Sequence, residues 1–143
     1  HRKTQKKNIL KLMDKIRNRL PGAVLRTSVI VGFPSEGEPE FKELLDFLKE
    51  ARFERLGAFT YSREEGTPAY HLKGQVPEKI KRERLNAVMT CQQEISRQVN
   101  ARFLGKTLEV LIDQAEAGAY LGRTAMDAPE VDGQVYVKVG GAG

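Results

Sequence analysis

Three residues with side chains that suit ligand binding alternate along a stretch rich in branched apolar residues. Residues 23–31, AVLRTSVIV, have the composition of a β-strand, and alternation places Arg26, Ser28 and Ile30 on one face. An arginine that faces the protein interior is costly unless it meets an anion or a hydrogen-bonded partner. A ligand that carries a carboxylate or a ribose would supply one. The alternative is that Arg26 lies near the entry of the strand and reaches solvent.

The predicted strand ends in Gly32-Phe33-Pro34, shortly before the next predicted helix. In parallel α/β folds, ligands bind in the loops at the carboxyl ends of the strands. Gly32 is therefore a candidate binding residue, although these residues would also serve as an ordinary turn. Downstream, residues 62–68, SREEGTP, follow a second strand-like stretch at 56–61. They either shape the mouth of a substrate site or form a solvated connection.

An arginine and three carboxylates cluster near the end of the chain: Arg123, Asp127, Glu130 and Asp132. They form either a partner-docking surface or a polar hairpin. An anionic loop would attract a basic protein and repel the phosphates of a nucleic acid. The sequence therefore favours a protein over an RNA as the partner of this loop.

The sequence shows no catalytic group and no metal site of its own. The single cysteine, Cys91, lies at helical spacing from Val88 and Ile95, which favours packing as its role. His1 and His71 are too few and too isolated in the sequence to form a metal site. No nucleophile–base pair and no phosphate-binding loop has a recognisable spacing. We therefore expect this chain to be inactive on its own.

Helices and strands alternate before the pattern changes near Gly105. Apolar spacing and Pro/Gly signals predict helices near 5–19, 39–51 and 77–104 and strands at 23–31 and 56–61. Beyond Gly105 the apolar period becomes two, which predicts about three short strands that include Leu108, Val110, Ile112, Val135, Val137 and Val139.

This order indicates an α/β layer with two adjacent parallel strands, followed by a small β barrel or sandwich. Two strands cannot close or cover a sheet, so we expect the layer to be a piece of a larger domain. Both ends of the sequence also suggest that the chain is part of a longer protein.

Charge divides the chain at the same place. Residues 1–104 contain 21 Lys/Arg and 13 Asp/Glu, a net charge of +8, whereas residues 105–143 contain 3 and 6, a net charge of −3. We predict two domains with these limits. In the first, basic residues alternate with carboxylates on helical patterns, which favours solvated helix faces over a nucleic-acid surface.

The composition, 40% hydrophobic and 30% charged, is typical of a soluble globular protein. No apolar run approaches the roughly 20 residues of a membrane span, and nothing resembles a signal peptide. One cysteine cannot form an internal disulfide, so a reducing cytoplasm is the expected location.

Four stretches of the sequence resemble, in order, the radical-SAM methylthiotransferases. They are IVGFPSEGEPEF, LGAFTYSREEGTPAY, the helical QVPEKIKRERLNAVMTCQQEIS, and the tail from GKTLEVLID through GRTAMDAPEVDGQVYV. The resemblance implies the C-terminal portion of a radical-SAM (TIM-like) barrel with a linking helix, followed by the start of a small all-β TRAM-type domain. Within the family, EEGTPA and DAPEVDG resemble the RimO type, which modifies a ribosomal protein.

The resemblance implies a chemistry that depends on bound groups. In this family a 4Fe–4S cluster cleaves S-adenosylmethionine to a radical, a second 4Fe–4S cluster delivers sulfur, and another S-adenosylmethionine supplies a methyl group. The implied product is a methylthiolated aspartate on a protein of the small ribosomal subunit. The cysteines that would hold both clusters are absent from this sequence.

By matching position, the resemblance assigns these residues to the pocket for S-adenosylmethionine: Arg26, Ser28, Ile30, Gly32, Phe59, Tyr61 and Ser62. Ile30 would touch the adenine, and Arg26 or Ser28 would bind polar groups of the cofactor. The backbone around residues 59–62 would complete the adenine pocket.

The loop after the first strand departs from the family pattern. Ser35 stands where glycine is usual, Gly37 where threonine is usual, and Pro39 where a carboxylate is usual. The departures would change the shape of the loop but leave the strand face as it is.

Two alternatives stay open. The sister MiaB type of the family modifies tRNA and would show a more basic stretch after its Gly-Arg-Thr. A non-catalytic α/β scaffold with a small β domain that binds RNA or protein is the other.

Overall fold

The structure, a computed structural model, describes residues 6–116, 118–129 and 132–138. The helices are α1 (Lys6–Arg19), α2 (Glu38–Ala51) and α3 (Glu78–Asn100), with 3-10 turns at Pro68–His71 and Ala101–Phe103. The strands are β1 (Arg26–Val31), β2 (Arg55–Thr60), β3 (Leu111–Glu116), β4 (Ala119–Arg123) and β5 (Val135–Lys138). Contacts divide the chain into two units, His1–Arg102 and Phe103–Gly143.

The two strands of the first unit form a parallel pair. β1 and β2 are in register from Arg26 opposite Arg55 to Val31 opposite Thr60. The Tyr61 N–H extends the ladder by donating to the Val31 carbonyl over 2.8 Å. Parallel strands need a crossover connection, and α2 provides it. The α/β class and the parallel pairing are therefore confirmed for this unit.

The helices cover one face of this sheet. The buried apolar core draws on β1, on all three helices and on the connection before β2: Met13, Val31, Phe41, Leu48, Ala51, Phe53 and Val88. Val29, Leu56 and Ala58 pack against this core from the strands. The alternate residues of β1 are exposed, as the alternation in the sequence predicts. Burial of one set of side chains thus fixes which face of the sheet stays open.

Local signals set the limits of α2. Pro39 occupies the first turn, where its missing N–H costs no hydrogen bond, and the Glu40 carboxylate accepts a 2.9 Å bond from the Gly37 N–H. The helix stops at Arg52, which has the left-handed φ of 51°. The Arg17 side chain of α1 donates to two backbone carbonyls at this end, over 2.9 and 2.8 Å. α1 therefore satisfies carbonyls that the end of α2 leaves without intrahelical donors.

A buried carboxylate links α1 to the starts of both strands. Glu54 is 5% exposed, accepts a 2.9 Å hydrogen bond from the Leu25 N–H and pairs with Arg17 at 3.3 Å. Because the Leu25 N–H turns towards this side chain, β1 begins at Arg26 and not at residue 23 as the sequence predicts. Burying a carboxylate is costly without such partners.

The second unit is an antiparallel sheet in the order β3–β4–β5. The register of β3 with β4 shifts between Ile112 and Gln114. β3 begins at Leu111, later than the predicted strand at Leu108, and it is exposed along its length. The alternation from Leu108 therefore does not mark a buried face, because the irregularity at Ile112 interrupts the period of two. Val139, the predicted end of the last strand, lies outside the described residues.

We expect Glu54→Ala to lower the free energy of unfolding by about 3 kcal/mol, because the Leu25 N–H and Arg17 lose a buried acceptor. Glu50→Ala is the matched control. Glu50 pairs with Lys6 near the surface, and loss of that pair should cost less than about 1 kcal/mol. Urea unfolding of the two variants measures the difference, and equal losses would contradict the role given to Glu54.

Candidate functional site

The open face of the parallel sheet carries an apolar pair near the carboxyl ends of the strands. Ile30 lies opposite Phe59 in the register, and both side chains are 58% exposed. Paired residues of adjacent strands project from the same face, so the two side chains are neighbours. An exposed apolar patch of this kind suits a flat apolar ligand or another part of a protein.

A side-chain hydroxyl lies on the same face as this pair. Ser28 is exposed on the same face and lies opposite Gly57 in the register. A Cβ added to Gly57 would lie 3.4 Å from Phe59 Cε2 and 3.6 Å from Ser28 Oγ, so the Phe59 ring and the Ser28 hydroxyl both border Gly57. The structure thus brings Ser28, Ile30 and Phe59 together on one open face.

Arg26 lies at the opposite end of this face from Gly32. It is the first residue of β1, is exposed, and stands opposite Arg55 in the register. At about 3.3 Å per residue, the strand places Arg26 roughly 20 Å from Gly32. The desolvation cost that the sequence suggests for an inward-facing arginine does not arise here. A role for Arg26 in cofactor binding stays a prediction.

The carboxyl ends of the two strands are joined at one edge. Gly32 has a φ of 76°, in the left-handed region that favours glycine. Phe33, the next residue, packs edge-on against the ring of Tyr61, with the ring centroids 5.2 Å apart. The Tyr61 backbone is itself hydrogen-bonded to β1. Gly32 and Tyr61, predicted from separate stretches of sequence, therefore lie at one edge.

Ser62 begins a loop that is held by its own side chains. Its hydroxyl donates to the Glu64 carboxylate over 2.6 Å, and the Thr67 hydroxyl donates to the Glu64 carbonyl over 2.8 Å. The Arg63 guanidinium lies 4.4 Å from the centroid of the Tyr70 ring. Because the Ser62 hydroxyl already has an acceptor, its backbone is the better candidate for ligand contact.

The loop between β1 and α2 contains a second left-handed residue. Ser35 has a φ of 69°, which costs energy for any residue other than glycine. Its N–H donates to the Gly74 carbonyl over 2.8 Å and its hydroxyl donates to the Lys73 carbonyl over 3.3 Å. The resemblance leads us to expect glycine at this position. The positive φ explains that preference, and the two hydrogen bonds explain how serine is tolerated.

Two basic residues that the sequence pattern does not reveal also contact this edge. Lys81 and Arg84 of α3 are buried, and Lys81 Nζ donates to the Tyr61 carbonyl over 2.8 Å. The signal that could have found them is spacing. Counting back from Val88 by four and then three residues along the buried stripe of α3 reaches both positions. A charged residue on such a stripe indicates a specific partner.

In the second unit, carboxylates hold a loop in shape. Asp127 Oδ2 accepts hydrogen bonds from the Thr124 N–H and hydroxyl over 3.0 and 2.7 Å. Asp132 Oδ2 accepts a bond of 2.7 Å from the Ala128 N–H. Both side chains are half-buried. Two of the carboxylates predicted for partner docking therefore have a structural task within the loop.

The remaining residues of the predicted docking set are Arg123 and Glu130. Arg123 Nε donates to Asp113 of β3 over 3.0 Å, an ion pair that crosses the β3–β4 ladder. Glu130 lies outside the described residues. A docking role for the whole set stays a prediction.

In residues 6–116, 118–129 and 132–138, no group of three or more His, Cys, Asp or Glu side chains is arranged to hold a metal ion. Cys91 is half-buried and packs against the core. No helix in the same part of the chain is long and apolar enough to cross a membrane. Hydrogen bonds from Arg97 and Gln98 lower the pKa of Glu94 to about 2, but this exposed cluster on α3 is a surface ion pair.

Comparison with known proteins identifies relatives of both units. The TRAM domain family matches residues 104–142. The protein named ribosomal protein uS12 methylthiotransferase RimO from Thermosipho africanus is 53% identical over 137 residues, which cover 96% of this chain and 32% of the relative.

Proteins with the same name from other organisms give the same result. The one from Clostridioides difficile is 51% identical over 139 residues, covering 96% of this chain and 31% of the relative. The one from Heliobacterium modesticaldum is 53% identical over 131 residues, covering 91% and 28%. The chain therefore spans about a third of the length of these relatives.

We expect Gly32→Ala to destabilise the protein more than Gly66→Ala. Both glycines have positive φ, 76° and 79°, so alanine costs about 1 kcal/mol at either position. At Gly32 the added Cβ would also lie 2.4 Å from Lys81 Cγ, whereas around Gly66 the described part of the chain leaves open space. Urea unfolding should show a further loss of about 1–3 kcal/mol for Gly32→Ala. Equal losses would mean that Lys81 moves aside without cost.

Proposed function

The chain corresponds to the C-terminal region of the RimO-type methylthiotransferases, and on this premise we propose that it is part of an enzyme that methylthiolates an aspartate of ribosomal protein uS12. The reaction uses radical chemistry with S-adenosylmethionine. The proposal rests on the sequence identity of 53%, across 96% of this chain, to a protein named ribosomal protein uS12 methylthiotransferase RimO. The proposal concerns the complete enzyme, to which this chain contributes about a third of the length.

The first unit is proposed to belong to a TIM-like radical-SAM barrel. In the part of the chain that the structure describes, β1 and β2 pair only with each other, so each has an outer edge that a further strand can extend. Parallel strands with helices on one face are the repeating unit of such a barrel. Ile30 and Phe59, on the open face, would then line its interior.

The open face fits the adenosyl part of S-adenosylmethionine. Adenine is flat and largely apolar, and the exposed pair of Ile30 and Phe59 offers a surface of that character. Ser28 offers a hydroxyl on the same face, and Arg26 offers a positive charge farther along the strand. When bound, S-adenosylmethionine supplies the radical and the methyl group.

Three further residues are proposed to shape this pocket through their backbone. Gly32 supplies the left-handed turn at the end of β1. Tyr61 is tied to β1 by its N–H, so the next peptide group, which leads to Ser62, has a fixed position beside the open face. Backbone groups fixed in this way hydrogen-bond a ligand without prior reorganisation.

The residues of this chain do not fit the iron–sulfur clusters of the family. Such clusters are held by cysteine thiolates, and the chain has one cysteine, which packs against the core. Ligands for two 4Fe–4S clusters would come from another part of the protein. We therefore propose that this chain alone has no methylthiotransferase activity. A ribosomal protein as substrate makes the cytoplasm the expected location.

The acidic loop of the second unit is proposed to attract the substrate protein. Residues 105–143 carry a net charge of −3, from 3 Lys/Arg and 6 Asp/Glu. A ribosomal protein rich in lysine and arginine would be attracted to such a surface, chiefly through a faster encounter. The phosphates of a tRNA would be repelled. The charge of the loop therefore favours uS12 over tRNA as the substrate.

We expect Ile30→Ala to weaken binding of S-adenosylmethionine to the full-length enzyme by about 10-fold, the loss that follows from about 1.5 kcal/mol of apolar contact. Leu12→Ala is the matched control, because Leu12 is 57% exposed on α1, away from the open face. Equilibrium dialysis with the two variants gives the ratio of dissociation constants. Equal affinities would place the cofactor away from Ile30.

The unaltered full-length enzyme should methylthiolate uS12 and leave a tRNA anticodon arm unmodified, as mass spectrometry of both products can show. Replacing Asp127, Glu130 and Asp132 by Asn or Gln should slow modification of uS12 at low salt, and the difference should fade as salt rises. Asparagine keeps a carbonyl oxygen that can accept from Thr124 at position 127 and from Ala128 at position 132, so the charge is removed while these hydrogen bonds are retained.

Control variants distinguish the effect of the charges in the loop from the effect of the net charge of the second unit. Glu109→Gln with Glu116→Gln removes carboxylates that are exposed elsewhere in the second unit and should have a smaller effect. Cleavage of S-adenosylmethionine without substrate should be unchanged in every variant. Efficient modification of the tRNA by the unaltered enzyme would instead support the MiaB type.

A further inference from the structure

Two basic side chains of α3 are buried at the carboxyl edge of the parallel sheet. Lys81 is 3% exposed and Arg84 is 7% exposed. Lysine and arginine are almost never buried to this degree unless they are paired, because their charges lose hydration. Their neighbours on the same helix, Lys79 and Arg82, are exposed, so the helix itself does not require the burial.

Lys81 contacts the ends of both strands. Its Nζ donates to the Tyr61 carbonyl over 2.8 Å and to the Glu78 carboxylate over 2.6 Å. Its aliphatic stem lies against Gly32, where an added Cβ would approach Lys81 Cγ to 2.4 Å. The same side chain therefore covers the turn after β1 and fixes a carbonyl just beyond β2.

Arg84 reaches the same turn through a carboxylate. Its NH1 nitrogen donates to both the carbonyl and Oε1 of Glu36, each over 2.8 Å. Glu36 Oε1 in turn accepts a 2.8 Å bond from the Gly32 N–H. The Arg84 guanidinium also lies 5.2 Å from the centroid of the Phe41 ring in α2. A continuous chain of charge-assisted contacts thus runs from α3 to the backbone of Gly32.

We propose that Lys81 and Arg84 are positioning residues for the adenosyl pocket. Through them α3 sets the shape of the turn at residues 32–36 and the orientation of the peptide group that follows Tyr61. The inference rests on the proposed function, because it gives these contacts a purpose in binding S-adenosylmethionine. Neither residue is placed in contact with the cofactor.

The hydrogen bond from Lys81 to the Tyr61 carbonyl sets the direction of the Ser62 N–H. In a trans peptide the carbonyl and the following N–H point in opposite directions, and the described chain contains no cis peptide bond. Because Lys81 holds the Tyr61 carbonyl towards α3, the Ser62 N–H points away from α3. That N–H is then oriented to donate to an acceptor such as a purine ring nitrogen.

The turn at residues 32–36 is held in shape by contacts with other parts of the chain. Gly32 adopts its left-handed φ of 76° at no steric cost, but the left-handed φ of 69° at Ser35 persists only where the surroundings impose it. The contacts that impose the shape come from α3 through Arg84 and Lys81, and from the Gly74 carbonyl that accepts from the Ser35 N–H. Removing the contacts from α3 should loosen the turn while the apolar core remains packed.

The test uses the full-length enzyme with Lys81→Met, Arg84→Gln and Arg84→Lys. Methionine keeps an unbranched stem against Gly32 but removes the ammonium group, and lysine at 84 keeps the charge. Lys79→Met and Arg82→Met are the matched controls, because both side chains are exposed on α3. Equilibrium dialysis gives the dissociation constant for S-adenosylmethionine, thermal unfolding gives stability, and hydrogen exchange without cofactor reports on residues 32–36.

We expect Lys81→Met and Arg84→Gln to weaken binding of S-adenosylmethionine by about 10- to 100-fold, by analogy with the loss of metal affinity when a residue that orients a metal ligand is removed. Exchange at residues 32–36 should become faster in both variants, and Arg84→Lys should restore part of the affinity. The two controls should match the unaltered enzyme in both measurements.

These measurements distinguish failure of this inference from failure of the proposed function. If the unaltered enzyme binds S-adenosylmethionine and both buried variants bind it equally well, the inference is wrong and the proposed function stands. A loss of affinity that only follows a lower unfolding temperature, with unchanged exchange at residues 32–36, would also overturn the inference. If the unaltered enzyme does not bind S-adenosylmethionine at all, the proposed function fails and the inference fails with it.

Discussion

The arrangement of the first unit depends on how the buried face of α3 packs against the two strands. Along the helix, the stripe on this face presents Lys81, Arg84, Val88, Gln92, Ile95 and Val99. Its basic start meets the carboxyl ends of the strands, Val88 lies in the core, and Gln92 donates to the Phe53 carbonyl over 3.0 Å just before β2. α3 therefore runs antiparallel to the strands and spans the sheet from edge to edge. Because polar and apolar residues occupy different places along the stripe, a shift of the helix along the sheet would separate Lys81, Arg84 and Gln92 from these partners.

The elements that the sequence predicts are those whose signals are local. Alternation along residues 23–31 predicts the open face, because only one set of side chains is apolar enough to lie beneath helices. α2 is predicted equally well, since Pro39 and the early carboxylates mark its first turn. The same reasoning fails for the strand at Leu108. The chain joins β4 only from Leu111, and the register shift after Ile112 breaks the alternation that a period of two assumes.

Charged residues are where the sequence predicts least, because it does not show their partners. The sequence leaves open whether Arg26 meets an anion or reaches solvent, and its side chain is exposed. The basic pattern around Lys81 and Arg84 favours a solvated helix face, but these two side chains are buried. The backbone carbonyls that accept from Lys81 and Arg84 lie 20 and 48 residues away in the sequence. No local pattern encodes such contacts. Asp127 differs, since its partner Thr124 is only three residues away, yet the sequence alone does not show that this carboxylate is bonded within the loop.

The distribution of these contacts bears on where a ligand would bind. Buried side chains hold backbone groups at both ends of the open face. At the start of β1, the Leu25 N–H donates to Glu54, which also pairs with Arg17. At the carboxyl edge, the Gly32 N–H is fixed by Glu36, which Arg84 holds in turn, and the Tyr61 carbonyl is fixed by Lys81. Backbone groups that are ordered before a ligand arrives bind it without a further loss of conformational entropy. Ser35, in the turn at this edge, has a left-handed φ of 69°, which persists only where surrounding contacts hold it. The exposed apolar pair of Ile30 and Phe59 lies near the carboxyl edge, so this edge, rather than the face near Arg26, is the stronger candidate for the adenosyl group.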